Sequence, residues 1–66
     1  MRELHEKMLK NADVIVARMQ SDSAFLGEFT KDPKIALGKI DGLDIPEGWV
    51  DMTIARAKQE YSRSMS

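Results

Sequence analysis

"EFTKDPKIALGKIDGLDIPEGW", residues 28–49, holds the chain's densest helix punctuation and its only tryptophan. Asp32-Pro33 marks a helix start. An Asp side chain accepts hydrogen bonds from the free N–H groups of a first turn, and Pro suits the first helical position, where its missing N–H would have no partner anyway. Ile35, Ala36 and Ile40 supply an apolar side. Asp41-Gly42 should stop this helix, since Gly adopts the left-handed C′ conformation cheaply and Leu43 can fold back onto Ile40 or Leu37. Gly38, inside the expected helix, costs roughly 1 kcal/mol against Ala, unless it permits a close helix crossing. Pro46-Glu47-Gly48 then reads as a turn that leads into Trp49.

Toward the N-terminus the pattern is helical throughout. Leu4, Met8, Ala12, Ile15 and Met19 recur at spacings of four, four, three and four, which is one face of a helix with a 3.6-residue period. Leu9 and Val16 widen the stripe, and Glu3, Lys7, Lys10 and Arg18 form a solvated opposite face. Glu3–Lys7 and Glu6–Lys10 each add about 0.3 kcal/mol as i,i+4 pairs. Ser21-Asp22-Ser23 ends this helix and begins another, with Ser21 or Ser23 as its N-cap. Phe25, Leu26 and Phe29 line one side of that second helix.

Beyond Trp49 two periods compete. Val50-Asp51-Met52-Thr53-Ile54 alternates as a half-buried strand would, whereas Val50, Ile54, Ala57 and Tyr61 also sit at helical spacing. The good helix formers Ala55 to Glu60 favour a helix from about Trp49 to Tyr61, followed by a frayed end at residues 62–66. The expected fold is mostly α: helices near 2–20, 23–30 and 33–41, and a fourth element that is a helix or a short strand. Residues 1–48 form the helical domain and 49–66 a C-terminal segment.

Composition narrows the function. Sixty-six residues make one small domain, near the size at which a single core barely suffices. Without cysteine there is neither a disulfide nor a thiolate metal site, and His5 alone builds no His-rich one. No cofactor is expected. His5-Glu6 is no catalytic dyad, because adjacent helical residues do not face each other. Asp41/Asp44/Glu47 and Glu28/Asp32 lack calcium-loop spacing, and capping is their expected job. Ten basic against eleven acidic residues lack the basic excess of a nucleic-acid binder. No apolar run reaches the roughly 20 residues of a membrane span, and residues 1–7 do not read as a signal peptide. A cytoplasmic chain without catalysis is expected.

Val14 to Gly48, about half of the chain, resembles the nitrile hydratase-like leader peptides. These are N-terminal segments of ribosomally made, post-translationally modified peptide precursors, similar to the N-terminal helices of the nitrile hydratase α subunit. The resemblance rests on Asp22-Ser23-Ala24-Phe25, on Asp32-Pro33-Lys34-Ile35-Ala36-Leu37 and on Gly42-Leu43-Asp44-Ile45-Pro46-Glu47-Gly48, in that order. It implies a helical handle that a maturation enzyme grips while modifying the residues that follow. After Gly48 there is no Gly-Gly step, no Cys and one Thr, Thr53, so lanthionine and thiazole chemistry lack substrates. Tyr61, Ser62, Ser64 and Ser66 are the candidate modified residues.

The expected partner is thus a larger protein, a maturation enzyme under the resemblance, with self-association into an oligomer left open. The expected contacts are Phe25, Phe29, Leu43, Ile45, Trp49, Val50, Met52 and Ile54. Burial of apolar side chains or addition of Val50–Ile54 to a sheet edge would serve. The alternative is a small helical accessory subunit that packs on the catalytic subunit of a multimeric enzyme.

Overall fold

Helix α1 runs over Arg2–Ser21, α2 over Ser23–Lys31, α3 over Pro33–Leu37 and α4 over Val50–Met65. The computed structural model describes residues 2–65, and side-chain surroundings within 3–64. Among these residues there are four helices and no strand, a small all-α domain. Its radius of gyration is 11.1 Å, close to the ~11 Å expected of a globular chain of this length. The chain therefore folds on itself rather than extending as an arm.

The apolar stripe of α1 is buried as its spacing predicts. Met8, Ala12, Ile15 and Met19 lie inside, while Leu4, in the first turn, is exposed. At 1.5 Å per residue the 20 residues of α1 span about 30 Å, nearly the 33 Å length of the molecule. α1 thus sets the long axis.

The α1–α2 junction turns on Asp22, not on Ser21 or Ser23. Its backbone is extended, and its Oδ1 accepts from the N–H groups of Ala24 and Phe25 at 3.1 and 3.2 Å. Ser21 cannot cap α2 because it still belongs to α1, with the Asp22 N–H donating to the Arg18 carbonyl. Ser23 is already the first residue of α2. Asp22 Oδ2 also meets Arg18 Nε at 3.4 Å, and the Arg18 guanidinium lies 6.0 Å from the Phe25 ring centre.

Asp32 closes one helix and opens the next. Its N–H donates to the Glu28 carbonyl, and its Oδ1 accepts from Ile35 N–H, with Pro33 in the first position of α3. α3 stops at Leu37, short of the expected residue 41. Gly38, Lys39 and Ile40 continue it with bonds to residues three back, a tighter turn that loosens into the loop. Gly42 then reverses the chain at φ 80°, the conformation its lack of Cβ permits. Gly38 lies outside the helix interior, is exposed and marks no close helix crossing.

α4 settles the competition beyond Trp49 in favour of the helix, and the expected frayed end is helical through Met65. Val50, Thr53, Ile54, Ala57 and Tyr61 face inward, so the helical period wins. Thr53 breaks the strand-like alternation physically: its side chain is fully buried, and its hydroxyl donates to the Trp49 carbonyl at 2.7 Å.

The hydrogen bonds fix the direction of α4. Asn11 of α1 reaches the Asp44 carbonyl just before α4, and Gln20 reaches Ser64 near its end. α4 therefore runs parallel to α1, and residues 22–49 form the return connection. One core unites Ala12, Ile15 and Met19 of α1, Phe25 and Phe29 of α2, Ala36 and Leu37 of α3, and Ile54 and Ala57 of α4. The C-terminal segment thus shares its core with the preceding helices.

Candidate partner-binding surface

The loop between α3 and α4 lies against the first half of α1. Lys7 Nζ meets Asp44 Oδ2 at 2.6 Å, and Asn11 Nδ2 donates to the Asp44 carbonyl at 2.9 Å. The second bond satisfies the buried Asn11 amide, whose burial would otherwise be costly. Leu43 and Ile45 lean half-buried onto the core. The Trp49 N–H donates to the Pro46 carbonyl, and Gly48 sits at φ 90°, as the third position of a type II turn requires. Trp49 immediately precedes α4, its carbonyl accepting from Thr53 N–H at 2.9 Å.

This arrangement separates the expected contact residues. Phe25, Phe29 and Ile54 belong to the chain's own core and offer no free surface in this fold. The two phenylalanine rings stack with centres 6.0 Å apart. Leu43, Ile45 and Val50 pack half-buried against that core. Met52 points outward and is 51% exposed. Trp49 is half-buried, yet it is not among the half-buried side chains packed on the core cluster. A shallow groove of about 280 Å³ opens beside this segment, lined by Lys34, Gly48, Val50 and Asp51.

Ile35 is an apolar surface that the sequence pattern misplaced. Expected inside, it is 63% exposed and lines an open groove of about 410 Å³ with Glu28, Lys31, Asp32 and Lys39. The five-residue α3 directs Ala36 and Leu37 inward, and Ile35, about 100° around the helix from Ala36 and about 200° from Leu37, falls on the outward side. Lys39 Nζ closes one side of the groove on Glu28 Oε2 at 2.7 Å.

The candidate modified residues occupy the end of α4. Tyr61 is half-buried on the core, and Ser62 and Ser64 are exposed. The Ser64 hydroxyl donates to the Tyr61 carbonyl and accepts from Gln20 Nε2. Ser66 lies outside the described residues. His5 is exposed on α1, and among the described residues no three His, Asp or Glu side chains converge into a metal-ligand set. No helix of the described residues is long and apolar enough to cross a membrane. No protein-family model, curated protein or solved structure matches this chain.

Proposed function

We propose that the chain is a non-catalytic recognition domain that docks on a larger cytoplasmic protein through the segment from Leu43 to Met52. The observation that carries this reading is Trp49. The chain's single Trp is held by a defined turn just before a helix, outside the packed core and three residues ahead of the exposed Met52. A large aromatic held rigidly at a surface anchors binding at low entropic cost.

In its leading form the domain is the leader of a modified-peptide precursor. The resemblance of Val14–Gly48 to nitrile hydratase-like leaders supports this form, in which a maturation enzyme acts on Tyr61, Ser62, Ser64 or Ser66. The last turn of α4 must then leave α1 to reach an active site, breaking the Gln20–Ser64 bond. The second reading is an accessory subunit of a multimeric enzyme. It is favoured by the burial of Ile54 and Ala57 in the common core, which makes the tail part of the domain rather than an appendage.

Intact-mass measurement of the chain isolated with its native partner separates the two. A mass change or trimming confined to residues 50–66 is expected of the precursor. An unaltered chain in a stable complex with an enzyme would replace that form with the accessory subunit. Partner binding undiminished in Trp49→Ala would remove both.

A further inference from the structure

Charge is distributed unevenly along the chain. Residues 41–51 hold Asp41, Asp44, Glu47 and Asp51, four of the eleven acidic residues, and none of the ten basic ones. All four are exposed. Lys7 engages Asp44, and Lys34 lies 3.7 Å from Asp51. Among the described residues Asp41 and Glu47 have no ion-pair partner. Between these acids stand Leu43, Ile45, Pro46 and Trp49, all half-buried, and the exposed Met52 follows. The segment therefore carries apolar side chains interleaved with two acids, Asp41 and Glu47, whose charge no neighbouring base among the described residues offsets.

Such a surface has a definite complement. Interfaces place aromatic and Met side chains at their desolvated centre and charges at a wet rim. The rim charges steer encounter and exclude partners of like charge. Resting on the recognition reading above, we infer that residues 41–52 dock into a groove with an apolar floor and a Lys/Arg rim on the partner. Trp49 and Met52 enter the floor, and Asp41 and Glu47 meet the basic rim. A nucleic-acid backbone or an anionic lipid surface is the opposite complement and is repelled.

The test uses the isotope-labelled full chain and two synthetic amphipathic helices, one of Leu and Lys, the other of Leu and Glu. Amide shifts confined to residues 41–52, with the Leu/Lys probe alone and weakening as salt is added, are expected. Neutralising Asp41→Asn with Glu47→Gln should weaken binding about tenfold, roughly 1.4 kcal/mol. Glu3→Gln with Glu6→Gln alters net charge equally and should leave affinity unchanged. Equal loss in both double variants, shifts centred on another face, or equal binding of the Leu/Glu probe would overturn the inference. So would binding of the Asp41/Glu47 variant to the native partner at full strength. In that last case, loss of the native partner in Trp49→Ala would leave the docking reading standing without its basic groove.

Discussion

Around the α2–α3 corner and along the 41–49 loop, the chain uses the same punctuation of Asp, Pro and Gly, with opposite results for its aromatic residues. At the corner, Asp22 and Asp32 cap successive helices through their own carboxylates. Those helices aim Phe25, Phe29, Ala36 and Leu37 into the core. In the loop, Asp44 is instead held from outside, by Lys7 and Asn11 of α1. The loop has no helical ladder to satisfy its backbone, so it stays at the surface, where turns and water meet those groups. Its apolar side chains are accordingly only half covered, and Trp49 stands apart from the core. The corner builds stability, and the loop presents a surface.

The largest effect that tests this contrast lies at the corner. Phe29 is 1% exposed, so Phe29→Ala should cost about 3–5 kcal/mol. A domain of this size has roughly 3–10 kcal/mol in total, and the variant should be largely unfolded at 37 °C by circular dichroism. A cooperative melt close to that of the parent would mean that the corner is not the stabilising region.

Overpacking between the parallel helices comes next. Ala12 and Ala57 are both fully buried, and small side chains at such positions let α1 and α4 lie close. Ala57→Leu should cost about 1–3 kcal/mol, read as a lowered urea midpoint with an unchanged slope. A raised midpoint would show instead that space remains there.

These elements also mark how far the sequence could be read. The α1 stripe was legible because five apolar residues repeat at one period over the whole helix, and Asp32-Pro33 because two residue preferences coincide there. The cap of α2 was misplaced by one position, since Ser21, Asp22 and Ser23 are all good N-caps and only the hydrogen bonds separate them. α3 was drawn too long because apolar spacing does not record where i→i+4 bonding gives way to i→i+3. Of the expected contact residues, Phe25, Phe29 and Ile54 went to the core. Periodicity tells which face is apolar, but not whether the chain itself or a partner covers it. Trp49 and Met52 could be told apart from them only once the loop was in place.

The caps offer a finer measure. Asp32→Ala should lower stability by about 1 kcal/mol. Asp22→Ala should cost at least as much, because Asp22 accepts two backbone N–H bonds and meets Arg18, whereas Asp32 Oδ1 accepts one, at 3.4 Å. Paired chemical denaturation of the two variants gives the order. The reverse order would mean that the second junction, with Pro33, carries more of the corner than its hydrogen bonds indicate.

The smallest expected effect on stability belongs to the residue expected to matter most for binding. Trp49→Ala removes a half-buried side chain that does not pack on the core cluster. The backbone bonds made at this position, from Trp49 N–H to Pro46 and from Thr53 to the Trp49 carbonyl, do not need the indole and remain available to Ala. The loss should be about 1 kcal/mol or less, the range for substitutions away from a packed core or a buried network. Far-UV circular dichroism is the proper readout, since the variant loses the chain's only indole fluorophore. Ile45→Ala serves as the comparison: Ile45 leans on the core, and its truncation should cost more stability than that of the larger Trp49. If Trp49→Ala were as damaging as Phe29→Ala, the indole would be a core residue in effect. The division between a stabilising corner and a presenting loop would then collapse, and with it the argument that this edge is held ready for a partner.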